Sequence, residues 1–173
     1  TNYNGANLAA ADIKMNGENA LSAAFTTDLS SVSDSAGQLA TAINLNTGVH
    51  GAVADAFNTV TSKAKGEFKM STTFSVNSAT INIATSYTEL VSNINEAVGG
   101  INATLNEDNT ITLANTDGDD IVLAAISSGA GITDVGFTAN TYAGFIGISN
   151  LDGSAVKIEA GSIKNGYGDT TTV

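Results

Sequence analysis

Apolar and polar positions along the chain follow two periods. In "EFKMSTTFSVN" they alternate, with Phe68, Met70, Thr72, Phe74 and Val76 on one side and Glu67, Lys69, Ser71, Thr73 and Ser75 on the other. That alternation predicts a half-buried strand over 67–77, with "TINI" (80–83) as a short companion. Around it the spacing is helical. Ser35-x-x-Gln38 has the form of a capping box, Leu39 and Ile43 lie four apart among Ala36, Ala40 and Ala42, and Gly48 supplies a stop. The pattern then recurs: Ser86-x-x-Glu89 opens a second helix, Leu90, Ile94 and Ala97/Val98 form its stripe, and Gly99-Gly100 end it.

Strands are predicted on either side of these helices. "ADIKM" places Ile13 and Met15 on one face and runs into the tight-turn dipeptide Asn16-Gly17. Residues 19–35 suit a strand or an irregular lead into the first helix. After the second helix, "INATL" and "TITL" bury Ile101, Ala103, Leu105, Ile111 and Leu113, forming a hairpin across "NEDN". "NTDGDD" then turns into the apolar run "IVLAAI", and a Gly/Ser-rich link (127–131) leads to two more strands, "GFIGIS" and "AVKIEAG", joined across "NLDG". The helical units align by Leu39/Leu90, Ile43/Ile94 and Asn44/Asn95, and one residue out of step by Gly48/Gly100. Two copies are too few for a solenoid. The expected class is α+β, strand-rich: a first helix-on-sheet unit over 1–66, a second over 67–126 and a C-terminal β segment over 127–173 that returns towards the N-terminus, bringing residues 1–5 and 169–173 close together.

Composition thins the expected core without removing it. Of 173 residues 42% are hydrophobic and the mean hydropathy is +0.10, but only 6% are aromatic and much of the apolar content is alanine, which buries little area. Seventeen acids against six Lys and Arg give a net charge of −11, which repels nucleic-acid backbones and anionic membrane surfaces alike. No 18-residue apolar run suits a membrane span. The absence of cysteine excludes disulfides and thiolate chemistry. The opening "TNYNG" lacks an initiator Met and a signal-like segment, so the piece is expected to be part of a longer chain.

Little in the sequence offers chemistry. His50 has no second His or Cys for a zinc set and reads as a loop or strand residue. "NEDNTITLANTDGDD" is rich in oxygen ligands but lacks the spacing of a calcium loop, and Asp-Gly is itself a turn signal. A sugar-processing carboxylate pair would lack the usual aromatic platform, Trp being absent; there is neither a nucleophile elbow nor a phosphate loop. The sequon-like Asn102-Ala103-Thr104 reads as the outward face of a strand. No catalytic, cofactor or metal residue is therefore expected. The residues singled out are structural: Leu39, Ile43, Asn44, Gly48, Leu90, Ile94, Asn95 and Gly100. Ile43 and Ile94 continue apolar stripes, while Asn44 and Asn95 sit where an amide can bond loop backbone and fix the following turn.

The phrases "ATAINLNTGVHGAV" and "VSNINEAVGGINATL", the second continuing through "NTITLANTDGDDIVL", resemble the IN motif of bacterial flagellins, named for its Ile-Asn pair. "ADAFNTVT" (54–61), "GISNLDGSAVKIEAG" and "NGYG" (165–168) extend the likeness over most of residues 11–168. The long terminal helices that build a flagellar filament are absent, so the chain looks like the central, variable outer region. The resemblance implies a structural, extracellular role on the bacterial flagellum in support of motility. It implies secretion through the flagellar channel, neighbouring flagellin subunits as partners, covalent glycans on exposed Ser or Thr, and contact with host or phage surfaces. The corresponding arm of a filament-cap or hook-associated protein is a second structural reading. A carbohydrate-binding adhesin module, with a saturable site, is the reading from another class.

Overall fold

The computed structural model describes residues 8–26, 33–126 and 130–161, and the backbone of one further strand at 171–172. The elements are β1 (Ile13–Met15), β2 (Glu18–Asn19), α1 (Ser35–Asn44), the single turn α2 (Thr47–His50), β3 (Ala52–Thr61), β4 (Phe74–Val76) and β5 (Ala79–Ile81). There follow α3 (Tyr87–Ala97), β6 (Asn102–Leu105), β7 (Ile111–Asn115), β8 (Ile121–Ala125) and the short helix α4 (Ala130–Asp134). The chain closes with β9 (Asn140–Tyr142), β10 (Phe145–Asn150), β11 (Lys157–Ala160) and β12 (Thr171–Thr172). The fold is α+β and strand-rich, and among the described residues every ladder is antiparallel.

The chain divides into two compact units, one of residues 1–57 with 145–173, the other of residues 58–144. These do not coincide with the expected segments 1–66, 67–126 and 127–173. Non-local pairing is the reason: the late strand β10 pairs with β3 and the late strand β11 pairs with β1, so the C-terminal segment from Phe145 onward completes the first unit, while α4 and β9 belong to the second.

In the first unit Asn16 and Gly17 both have positive φ (54° and 88°), the geometry that closes β1 and β2 into a two-residue hairpin. β11 lies on the other side of β1 and β12 beyond it, giving the order β12-β11-β1-β2. β3 and β10 form a second ladder from Ala52↔Asn150 to Phe57↔Phe145. The core between them is alanine-heavy: Leu8, Met15, Ala20, Leu21, Ala40, Ile43, Ala52, Ala54 and Val156 are buried together.

The second unit repeats this plan with larger side chains. β4 and β5 are joined across Asn77-Ser78, again both at positive φ (46° and 68°), and β8 and β9 extend the sheet to the order β5-β4-β8-β9. β6 and β7 form its second hairpin, and the end of β3 (Asn58 to Thr61) pairs along β7. Phe74, Ile81, Leu90, Ile94, Ile111, Leu113, Ile121 and Leu123 are all essentially inaccessible. Each such side chain contributes roughly 1.5–3 kcal/mol on burial, several times what an alanine supplies.

Element by element, β1-turn-β2-α1-β3-β10-β11 matches β4-turn-β5-α3-β6-β7-β8, with β12 and β9 as outer strands. The duplication therefore covers far more than a helix, and one copy is nested: the hairpin β6–β7 is closed by a short loop, whereas its counterpart β3–β10 has the second unit's sequence between its strands. Two local expectations are also corrected. Only Phe74–Val76 of the alternating stretch is strand. Ser71 bonds Asp134 through its N–H and hydroxyl (3.0 and 2.6 Å), and Thr72 accepts from the Gly131 N–H (2.9 Å), so side-chain bonds to the α4 region take the place of a ladder. Gly131 is needed there, since a Cβ would collide with the Thr72 carbonyl. The expected Gly/Ser link thus ends in the first turn of α4. The closeness of residues 1–5 to 169–173, and the "NGYG" phrase, lie outside the described residues.

Candidate functional site: the asparagine brackets

Each repeated helix delivers an Ile-Asn pair to the same place. Ile43 and Ile94 are buried, Leu90 is buried, and Leu39 is half-buried against the first core. The next residue turns outward and reaches the strand that follows. Asn44 Nδ2 donates to the Ala54 carbonyl at 2.7 Å, and its Oδ1 accepts from the Ala54 N–H at 2.8 Å. Asn95 does the same to Ala103, at 3.0 and 2.7 Å. A carboxamide carries one acceptor and a donor in the arrangement of a peptide group, so it occupies both outward groups of one strand residue as a neighbouring strand would. Ala54 and Ala103 are nearly inaccessible, and losing the amide would strand their backbone groups. The bracket thus reaches a strand rather than the loop that sequence spacing suggests. It also closes one position of an edge that would otherwise invite pairing.

The two brackets differ in length. Asn44 and Ala54 are 10 residues apart, Asn95 and Ala103 only 8. The two-residue excess forms α2, and this displaces the glycine stop. Gly48 lies inside α2; the left-handed residue ahead of the strand is Gly51 (φ 75°), the true counterpart of Gly100 (φ 77°). His50 fills the excess from within. It is buried, its Nδ1 accepts from the Ala52 N–H (3.1 Å), and its Nε2 lies 3.2 Å from the Ile43 carbonyl, which makes Nε2 the protonated nitrogen of this tautomer. Helix starts differ too. Ser86 accepts from the Glu89 N–H at 3.1 Å, while the Glu89 carboxylate takes the Thr85 N–H (2.7 Å) and hydroxyl (2.6 Å). The expected box at Ser35-Gln38 does not form; Asp34 is the N-cap and makes no side-chain cap bond.

Further asparagines do repeated work that spacing alone did not reveal. Asn16 Oδ1 accepts from the Lys157 N–H (3.0 Å), and Asn77 Oδ1 accepts from the matching Val122 N–H (2.7 Å). Asn16 also donates to the His50 carbonyl (2.8 Å) and Asn150 Oδ1 (2.7 Å). "NLDG" and "NTDG" are equivalent turns with Gly153 and Gly118 left-handed (φ 75° and 80°). Asn58, fully buried, donates to the carbonyls of Asp119 (3.0 Å) and Tyr142 (2.6 Å). For Asn115 and Asn150, the signal that could have found them is the pair of N-x-D-G phrases.

The acidic groups serve turns. Hydroxyl and then backbone N–H bonds from Thr85, Thr110, Ser71 and Ser154 hold Glu89, Asp108, Asp134 and Asp152, respectively, below the usual carboxylate range. Burial pushes Asp120 up, partly offset by the Gly144 N–H. Within the oxygen-rich stretch, Asp108 bonds Thr110, Asp117 bonds the Asp119 N–H, and Asn115 bonds the Gly118 N–H. Among the described residues no group of three His, Cys, Asp or Glu side chains is placed to hold a metal, and no helix is long and apolar enough to cross a membrane. Asn102 is exposed on β6, with Ala103 inward, as the alternation predicts. No protein-family model matches the sequence, and no curated protein compared with it matches either.

Proposed function

We propose that this chain is the outer, surface-projecting part of a bacterial flagellin, acting as an extracellular structural module of the flagellar filament and catalysing nothing. One observation supports the reading above others: Ile43-Asn44 and Ile94-Asn95, the pairs on which the likeness to flagellins rests, each make the same two-bond bracket. A motif used twice in one geometric role is a building unit and not a chance phrase. Further support comes from Glu89, Asp108 and Asp152, whose carboxylates are engaged in local bonds that hold a helix start and two turns. In this role the partners are neighbouring flagellin subunits, with covalent glycans on surface Ser or Thr, and host or phage surfaces at the periphery. The charge of −11 keeps such an array soluble and limits nonspecific adhesion.

Cryo electron microscopy of the full-length parent protein tests this. The expected result is a helical filament carrying the present residues as a radial lobe. A small capping ring would move the assignment to a filament-cap or hook-associated protein. A soluble monomer that binds sugar saturably would move it to an adhesin.

A further inference from the structure

The nested repeat supplies an internal control for the surface. Where both copies solve the same folding problem, a difference in exposed residues is not demanded by the fold. The residue after each bracket asparagine is Leu45 in the first copy and Glu96 in the second; the residue after the first Asn of each N-x-D-G turn is Leu151 against Thr116. Leu45 and Leu151 are each 74% exposed, and Val49, in the extra turn that only the first copy has, is 60% exposed. They belong to one end of the first unit: Leu45 and Val49 are four apart across the α1–α2 corner, and the Leu151 N–H donates to the Gly51 carbonyl at 3.2 Å. Leu45 also forms part of an open groove of about 400 Å³ with Leu21, Phe25, Gln38 and Thr41, where Asp34 is the one charged lining residue among the described residues.

Charge distribution makes the contrast sharper. Residues 35–54 contain no Asp, Glu, Lys or Arg, in a chain with 17 acids. The equivalent helix α3 carries Glu89 and Glu96, both exposed. We propose that the uncharged α1–α2 end of the first unit is a self-association surface that receives the same surface of a second copy of this chain. A second copy is the occupant the charge favours. Two molecules of charge −11 repel over most approaches, and among the described residues the carboxylates flanking this face lie at its margins, at Asp34, Asp152 and Glu18 of the adjoining strand β2. A basic partner would instead be drawn to the acidic faces. With three aliphatic side chains the contact is far smaller than a stable dimer needs, so it is weak in dilute solution and acts where copies are held at high local concentration.

The test is a dilution series of the isotopically labelled chain from micromolar to millimolar, followed by amide NMR shifts at low and high salt. The same series is run on a Leu45→Glu/Leu151→Thr variant that copies the second repeat, with thermal melting as the folding control. Expected are concentration-dependent shifts confined to residues 41–51 and 151, stronger at high salt, and lost in the variant. Absent shifts at millimolar concentration, shifts elsewhere, weakening by salt, or persistence in the variant would each overturn the proposal. Should the double variant melt early, Leu151→Thr alone carries the comparison, with at least partial loss of the shifts expected and unchanged shifts overturning it. The outcome is independent of the filament assignment, which electron microscopy decides separately.

Discussion

Helix α3 starts on a bonded serine, lays Leu90 and Ile94 wholly inside a core of Phe, Ile and Leu, and shows glutamates to solvent. Helix α1 starts on an Asp34 without a side-chain cap bond, buries Ala36, Ala40 and Ile43, and shows no charge. Yet both end in the same asparagine bracket on the same kind of hairpin. What the two share is therefore the bracket and the strand order; cap, core volume and surface are adjustable around it. The first copy substitutes polar ties for apolar bulk. His50, absent from the second copy, pins the helix end to the strand start, and Asn16 adds bonds to the His50 carbonyl and Asn150 beyond the strand bond it shares with Asn77.

The contrast can be broken most forcefully at the stripes. Leu90→Ala is expected to cost about 2–5 kcal/mol, as for other fully buried leucines, and Leu39→Ala, half-buried among alanines, clearly less. Urea denaturation read by unit-specific NMR signals measures both; equal losses would mean the first core is as tightly packed as the second. Next come the brackets. Asn95→Ala and Asn44→Ala each leave a nearly inaccessible N–H and carbonyl unpaired, an expected loss of about 1–3 kcal/mol. A double-mutant cycle of Asn44→Ala with His50→Ala should show coupling, because both tie the same helix end to the strand start at 52–54. Simple additivity would make His50 an independent filler. A smaller difference lies at the helix starts: Ser86→Ala should cost about 1 kcal/mol, while Ser35→Ala stays near zero by the same melt, since only Ser86 makes a cap bond.

Acid should produce the mildest effect. Glu89, Asp108, Asp134 and Asp152 titrate below their ordinary values when folded, so their stabilisation is complete above the unfolded carboxylate range and fades as pH falls through the lower folded values. Asp120 runs the other way: its raised value favours the fold below the unfolded range and is lost as pH rises, so Asp120→Asn should raise the melting temperature at neutral pH and not in acid. Three of the depressed carboxylates lie in the second unit, against Asp152 in the first. Melts followed residue by residue between neutral and acid pH should therefore show the larger change in residues 58–144.

The parts legible in the sequence were the local ones. α3, its capping serine, the hairpin of Ile101 to Leu113 and the Asn16-Gly17 turn each depend on residues a few positions apart, and the chain spells them out. The nesting was illegible because β1–β11 and β3–β10 join strands more than 80 residues apart, for which periodicity carries no signal. Gly48 reads as the stop from spacing, whereas the extra turn α2, held by the His50 bonds, moves the left-handed position to Gly51. Asn77-Ser78 carries no strong hairpin signal, since serine is an uncommon occupant of positive φ. The long alternating run misled because alternation describes which side chains are buried, and Ser71 and Thr72 achieve that burial pattern without a ladder.

The nested arrangement also dictates an order of events. A chain threaded or synthesised from its N-terminus presents β1 and β3 early, but their partners β11 and β10 arrive only after the whole of residues 58–144 has passed. The interior unit can close on contacts available as it emerges, while the enclosing one waits with its alanine-lined faces open. For a polypeptide delivered end-first, the clasp that completes the first unit emerges after everything it encloses in sequence. Until then the half-made outer unit is the stage most exposed to mispairing with a neighbour.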